Sequence, residues 1–155
     1  MVAELIQELL QNKILLTAAI AGFSAQFIKA VLYAFIYHEW SWERMFGAGG
    51  MPSSHAATVI ASDVTAAACY GLSSFEFGIT MILTFVVLHD ASGVRLETGR
   101  QSAALNHIIE VIKDMSTDPR SQNLESGFKE LVGHTPLQVV IGSLYGLALG
   151  ILLNI

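Results

Sequence analysis

The stretch ILLTAAIAGFSAQFIKAVLYAFIY, residues 14–37, decides the fold class of this chain. It is longer than the roughly 20 apolar residues that an α-helix needs to cross a bilayer, and Gln26 and Lys29 interrupt it. The composition agrees, because 53% of the 155 residues are hydrophobic, 14% are charged and the mean hydropathy is +0.55. A soluble domain carries about 25% charged residues. The sequence therefore predicts an integral membrane protein.

Three further apolar stretches follow, at about Ala56–Leu72, Phe75–Leu88 and Leu137–Ile155. Together with the first they predict an all-α bundle of about four transmembrane spans, with amphipathic interfacial helices, in a single domain over residues 1–155. The two middle stretches are short, so a two-span protein with two half-inserted helices is an alternative. The N-terminal MVAELIQELLQNK lacks the features of a signal peptide and predicts a short interfacial helix or an extension of the first span.

The segment between the third and fourth spans, residues 93–133, is polar and is predicted to form a helical loop on the cytoplasmic side. We expect an amphipathic helix in it, then a turn at Ser116–Asn123 and a second short helix at Leu124–Val132. The apolar residues with helical spacing are Leu105, Ile108, Ile109, Ile112 and Met115.

Basic residues are distributed unevenly around the four predicted spans. Lys13 lies on one side, and six Lys and Arg residues lie on the other. The positive-inside rule therefore predicts that both long loops face the cytoplasm and that both termini lie outside. The six residues are Arg44, Arg95, Arg100, Lys113, Arg120 and Lys129.

Other patterns limit the partners of the chain. The net charge of −5 and the lack of a basic stripe argue against nucleic-acid binding. The single cysteine, Cys69, lies in an apolar stretch and cannot form an internal disulfide. In the fourth span, Gly142, Gly146 and Gly150 share one helical face, which lets another helix approach closely and makes this face a candidate contact for a homo-oligomer.

Polar residues from separate parts of the chain converge on the predicted cytoplasmic side. The stretch GAGGMPSSHAATVIAS, residues 47–62, places one such cluster at the start of the second span. Each group alone could be a helix cap or a satisfied core residue, but together they indicate a site. They are the Gly49–His55 cluster, His89, Asp90 and Arg95 after the third span, His134 before the fourth, and Lys29 about 12 Å before the inner end of the first.

These residue types suit phosphate chemistry. Helix N-termini and glycine-rich backbone bind anions, and His55 and His134 can divide nucleophilic and acid–base work. The glycine-rich run is not a nucleotide P-loop, because no Lys-Ser or Lys-Thr pair follows it. The expected phosphate-binding residues are Lys29, Gly49, Gly50, Ser53, Ser54 and Arg95.

The motifs GGMPSSHAA, DASGVR and GHTPLQVVIG resemble the divergent branch of the type-2 phosphatidic acid phosphatases, which is related to acid phosphatases and vanadium-dependent haloperoxidases. The resemblance covers nearly the whole chain. It implies that Pro52-Ser53-Ser54-His55 supplies the histidine that protonates the leaving group. It also implies that His134 attacks phosphorus and forms a phosphohistidine.

The chain departs from the wider superfamily at three places. Gln138 replaces the aspartate that orients the nucleophilic histidine, Phe128 replaces a phosphate-binding arginine, and no arginine-proline pair follows Lys29. We expect Arg95 to replace a missing arginine and Asp90 the lost carboxylate. Thr135-Pro136-Leu137-Gln138 also fits a helix capping box, so Gln138 has two alternative roles.

The resemblance therefore implies a phosphatase of the bacterial plasma membrane that hydrolyses a lipid phosphomonoester or pyrophosphate without a metal or other cofactor. The expected catalytic residues are His134, His55, Asp90 and Gln138. One alternative is a non-enzymatic lipid-phosphate binder on a degenerate site. Another is a metal hydrolase that uses both histidines with His89 and Asp90. Asp63, within the second span, is expected to support His55 or pair with Lys29.

Overall fold

The computed structural model describes residues 1–42, 45, 47, 49–116, 124, 127, 128 and 133–155. This part of the chain contains helices and no strand, so the predicted all-α membrane fold is confirmed. A π-helical turn at Asp90–Val94 joins two of the helices into one continuous helix of 41 residues. The helices are α1 (Val2–Gln11), α2 (Lys13–Tyr37), α3 (Ser54–Tyr70), α4 (Phe75–His89), α5 (Arg95–Met115) and α6 (Pro136–Asn154).

Within the described residues, three helices are long and apolar enough to cross a membrane: α2, α6 and the continuous helix that begins with α4. Helix α3 has 17 residues, which is about 25 Å at 1.5 Å per residue. That length is slightly less than the roughly 30 Å of a hydrocarbon core. Three candidate spans and α3 agree roughly with the four spans predicted from the sequence.

The bundle is organised around α3, which packs on α2, α4 and α6. Small side chains allow these close contacts, with Ala21 and Ala25 of α2 against Ala57 and Ala61 of α3. Large apolar side chains point outward, and Phe85 of α4 is 78% exposed. Small residues inside and large apolar residues outside are the arrangement that close helix packing in a lipid environment favours.

The glycine face of α6 is an internal packing surface. Gly142, Gly146 and Gly150 are buried, and a Cβ atom at Gly142 or Gly146 would overlap the backbone of Ser53 or Ala57 in α3. The close helix approach predicted from the spacing is therefore present within one chain. The expected oligomer contact through this face is wrong, because α3 already covers it.

The polar segment after α4 begins with the predicted amphipathic helix, now α5. Its apolar side chains are uncovered, with Ile108 53% and Met115 82% exposed. Asn106 of α5 donates to the carbonyl of Phe128 at 2.9 Å and thereby holds the later part of this segment. The predicted turn and second short helix fall mostly outside the described residues.

Asp63 lies in the middle of α3 and is 6% exposed. Its Oδ2 accepts a hydrogen bond from Thr84 of α4 at 2.7 Å, whereas Oδ1 has no hydrogen-bond partner among the described residues. The expected pairing with Lys29 or support of His55 is therefore wrong. The hydrogen bond from the Thr84 hydroxyl to Asp63 instead joins α4 to α3.

Candidate active site

Two histidines from distant parts of the chain are in contact. His55 lies in the first turn of α3, and His134 lies two residues before the first residue of α6. The Nδ1 atom of His55 is 3.3 Å from Nε2 of His134, and the ring centroids are 5.5 Å apart. His134 is 1% exposed, whereas His55 is half-buried. The fold thus brings together the two histidines that the sequence singled out.

Two hydrogen bonds fix the position of His134. Its Nδ1 atom lies 3.2 Å from the carbonyl oxygen of Gly50. Its backbone N–H donates to the carbonyl of Ala91 at 3.0 Å, within the π-helical turn. Gly133 is required beside this contact, because a Cβ atom there would overlap the backbone of Leu96. The π-helical turn therefore contacts His134, and the first residues of α5 contact Gly133.

These contacts also define the tautomers. A carbonyl oxygen can only accept, so Nδ1 of His134 carries a proton and donates it to Gly50. Burial, with a further contribution from His55, lowers the pKa of His134 to about 4, so the ring is neutral at pH 7. Its Nε2 atom consequently carries no proton, and the lone pair of Nε2 accepts a hydrogen bond from Nδ1 of His55. This is the protonation state that a nucleophilic histidine requires.

Lys29 contacts the glycine loop, residues 47–50, beside the histidine pair. Gly49 and Gly50 have φ values of 80° and 85°, in the left-handed region that favours glycine. Lys29 is 5% exposed, and its Cδ atom would lie 2.7 Å from a Cβ atom at Gly50. Its Nζ atom donates to the carbonyl of Gly47 at 2.7 Å. The lysine charge is thus held beside the histidine pair by contacts that require glycine.

Gln138 forms the predicted capping box and also lies beside His134. Its Oε1 accepts from the backbone N–H of Thr135 at 3.0 Å, and its own backbone N–H donates to the Thr135 hydroxyl, which completes the capping box. The Gln138 side chain also interacts with His134 and slightly raises the pKa of that ring. The capping box holds the Gln138 amide beside the histidine.

The two serines of the motif have different surroundings. Ser53 is fully buried, and its hydroxyl accepts from Ala56 as the N-cap of α3. This arrangement favours a structural role for Ser53 over the predicted phosphate contact. Ser54 is 9% exposed and lines a cavity together with His55.

Arg95 and Asp90 form an ion pair beside the site. The Nε atom of Arg95 donates to Oδ2 of Asp90 at 2.5 Å, and both side chains are partly exposed. Burial lowers the pKa of His55, Arg95 and Lys29 lower it further, and Asp90 raises it. Both members of the pair therefore act electrostatically on His55, although each is held by the other.

Two cavities adjoin the site. One, of about 550 Å³, runs between α2, α3 and α4 and reaches Ser54 and His55. The other, of about 320 Å³, lies on the Lys29 side. Its polar lining includes three predicted phosphate-binding residues and Gln138. Those four residues are Lys29, Gly49, Gly50 and Gln138.

The expected metal alternative lacks a ligand set in the described part of the chain. His89 is exposed at the end of α4, and no group of three or more His, Cys, Asp or Glu side chains among the described residues is arranged to hold a metal ion. The site also contains two backbone groups that the sequence did not single out, the carbonyls of Gly47 and Ala91. Neither has a side-chain signature that a sequence pattern could reveal.

Comparison with known proteins identifies the family of the chain. The model of the Divergent PAP2 family matches residues 10–149. The chain is 33% identical over 152 residues to the uncharacterized membrane protein YuiD of Bacillus subtilis strain 168. The matched region covers 94% of this chain and 96% of that protein. No solved structure matches the chain. With matches to a family model and to a relative over nearly its whole length, the chain belongs to the Divergent PAP2 family.

Proposed function

We propose that this membrane protein is a phosphatase that hydrolyses a phosphomonoester or pyrophosphate of a lipid through a histidine nucleophile. The single observation that carries the proposal is the state of His134. Its Nδ1 proton is engaged by Gly50, and its neutral Nε2 lone pair points at a second histidine. A ring held in this tautomer and paired with a second acid–base group meets the requirements of nucleophilic catalysis.

In the proposed reaction, the phosphoryl group enters between the two rings. The Nε2 lone pair of His134 attacks phosphorus, and the bond between phosphorus and the leaving oxygen breaks. His55 in its protonated form gives its proton to that oxygen. Water then attacks the phosphohistidine, gives a proton back to His55 and releases inorganic phosphate, which restores the neutral His134.

His55 must carry a second proton to act as the acid. In the free protein, burial and the neighbouring cations Arg95 and Lys29 lower the pKa of His55. A bound phosphate dianion would offset those cations and raise the pKa of His55, because an opposite charge nearby favours the charged form. Binding of the substrate and protonation of the acid are therefore coupled in this proposal.

The position of the site supports a lipid substrate in this proposal. The histidine pair lies at one end of the bundle, where α3 and α6 begin and α4 ends. Lys29 lies about 12 Å before the end of α2, a distance that a lysine side chain can partly span towards the headgroups. Charge stabilisation by Lys29, Arg95 and the glycine loop would supply the main catalytic effect.

A second candidate function is a lipid-phosphate binder without turnover. Three contacts favour this function, because each engages a group that the reaction would use. Nε2 of His134 is hydrogen-bonded to His55, Arg95 is paired with Asp90, and Lys29 donates to the Gly47 carbonyl. Gln138 also supplies no negative charge to the nucleophile. In that case the site would recognise the phosphate group and leave it intact.

A phosphate-release assay on purified protein with a panel of lipid phosphates, with and without chelator, separates these functions. We expect chelator-resistant release that His134→Ala and His55→Ala abolish. His107→Ala is the matched control, because His107 is exposed on α5. Trapping an acid-labile, base-stable phosphoprotein that disappears in His134→Ala would identify the nucleophile. Chelator-sensitive release would support a metal site, and vanadate binding without release would support the binder.

A further inference from the structure

The cavity of about 550 Å³ beside the histidine pair has a polar end and an apolar end. At the polar end lie Gln26, Ser54 and His55, and the rest of the lining is apolar apart from Thr58. The cavity follows α2 from Gln26 to Leu15, which is about 16 Å at 1.5 Å per residue. It is therefore an elongated apolar space that ends at a proposed catalytic side chain.

The packing of α2, α3 and α4 explains the elongated shape of this cavity. Helices α2 and α4 both pack on α3, and more extensively than they pack on each other, which leaves a cleft between them. The floor along α2 is made of small residues, Ala18, Ala19 and Gly22. A Cβ atom at Gly22 would lie 2.5 Å from the hydroxyl of Thr58, so glycine is required there for the approach of the two helices. The small side chains of this row leave apolar space along α2.

Gln26 supplies an independent observation at the polar end. Its Oε1 atom is buried and has no hydrogen-bond partner among the described residues. An unpaired buried acceptor costs free energy unless a donor from a ligand reaches it. Gln26 belongs to the lining of the same cavity as His55.

We propose that this cleft binds a hydrocarbon chain of the substrate, and that Gln26 accepts a hydrogen bond from a hydroxyl group close to the phosphate. This inference rests on the proposed function, and it specifies the substrate class as a lipid phosphate with a hydroxyl near its head. Continuity of the cleft with His55 places the chain next to the phosphoryl group. Its apolar lining matches a hydrocarbon, because burial of apolar surface stabilises the complex.

The test uses alkyl phosphonates of four, eight, twelve and sixteen carbons, with and without a 2-hydroxyl group, as non-hydrolysable probes. Binding is measured as thermal protection of the full chain in nanodiscs of fixed lipid composition. We expect protection to rise with chain length in the wild type. Ala19→Phe, which fills the cleft, removes this rise and keeps the protection given by the four-carbon probe.

Three further variants complete the test. Val87→Phe narrows the opposite wall of the cleft and replaces Ala19→Phe if that variant does not fold. Ala148→Phe, on the exposed face of α6, is the matched control and retains the wild-type rise. Gln26→Leu weakens binding of the hydroxylated probes by about tenfold and leaves the plain probes unchanged.

The outcomes separate this inference from the proposed function. An unchanged rise with chain length in both Ala19→Phe and Val87→Phe overturns the chain site, whatever the activity. Equal loss of both probe types in Gln26→Leu overturns the role of Gln26. If binding depends on chain length but no phosphate is released from lipid phosphates, the chain site stands and the phosphatase is overturned. If phosphate is released but binding does not depend on chain length, the phosphatase stands and the chain site is overturned.

Discussion

The Nε2 atom of His134 lies 3.3 Å from Nδ1 of His55, although 79 residues separate the two histidines along the chain. Burial first and the neighbouring ring second lower the pKa of His134 to about 4, from an ordinary value of 6.5. Between these two pH values, the unfolded chain binds a proton at residue 134 that the folded chain does not bind. The contact therefore links the proposed catalytic state to the pH dependence of stability.

The first prediction follows from this linkage. Because the unfolded state binds more protons, stability falls as the pH falls from 7 towards 4, by roughly 3 kcal/mol for this group over the whole window. We expect the melting temperature in detergent to decrease from pH 7 to pH 5, and His134→Gln to reduce that decrease. His107→Gln, at an exposed position on α5, should retain the wild-type slope. Equal slopes in all three proteins would contradict the assignment.

The second prediction concerns Gln138. Gln138→Glu keeps an oxygen for the N–H of Thr135 and adds a negative charge beside His134, which stabilises the positive charge that develops as the phosphohistidine forms. We expect a higher turnover rate, with the helix unchanged or stabilised by about 0.3–1 kcal/mol through its dipole. Gln138→Ala should instead lose about 1 kcal/mol of capping energy. Turnover below that of the wild type in Gln138→Glu would assign the residue to capping alone.

The third prediction concerns the ion pair of Asp90 and Arg95. Asp90→Asn frees the guanidinium group for an anion, so half-maximal thermal protection by vanadate should need about fivefold less vanadate. Arg95→Ala should need more vanadate than the wild type. Glu97→Gln breaks the neighbouring exposed pair with Arg100 and is the matched control, with no expected change. If Asp90→Asn and Glu97→Gln behave alike, Arg95 is not a phosphate ligand.

The fourth prediction tests the packing that supports the site. Gly142→Ala forces a Cβ atom into the backbone of Ser53, which caps the helix that carries His55. We expect a loss of about 1–3 kcal/mol in stability, as in other overpacked cores, together with lower activity. Gly78→Ala in α4 is the control, because no described heavy atom lies within 4 Å of the added Cβ atom. That variant should be neutral or more stable by about 0.5–1 kcal/mol.

The fifth prediction concerns orientation. Cys69 is the single cysteine, is exposed near the end of α3, and is separated from Ser116 by the continuous helix that begins with α4. A membrane-impermeant maleimide should label Cys69 from outside the cell. In a Cys69→Ser background, Ser116→Cys should be labelled from the cytoplasmic side. Labelling of both from one side would support two half-inserted helices, and the reverse pattern would move the site to the outer face.

Much of the fold could be predicted from local patterns. The apolar stretches predicted the membrane helices because length and composition alone are sufficient for that inference. The capping box at Thr135 and Gln138 was readable because it depends on residue types three positions apart. The spacing of Gly142, Gly146 and Gly150 predicted a close helix contact, but the partner helix was not predictable. Spacing describes one helix face and says nothing about which helix covers it.

The site was predictable in its side chains and not in its backbone. The motifs correctly predicted that His55 and His134 lie close together, because each lies at the start of a helix on the same side of the bundle. The role of Ala91 was missed, since any residue supplies a carbonyl oxygen and no pattern identifies which one is available. Thr84 was missed as the partner of Asp63 for a related reason. A hydroxyl carries no charge, so electrostatic reasoning favoured Lys29 instead.

The π-helical turn at Asp90–Val94 sets the rotational phase between the membrane part and the polar part of one helix. The N–H of Arg95 bonds to the carbonyl of Asp90, five residues back, so the turn contains one residue more than an α-helix would. Each residue of an α-helix corresponds to about 100° of rotation. Removing one residue from this turn would therefore rotate the apolar face of α5 by about that angle and take the Ala91 carbonyl away from His134. The direction in which α5 presents its uncovered face and the placement of the nucleophile thus depend on the same residue count.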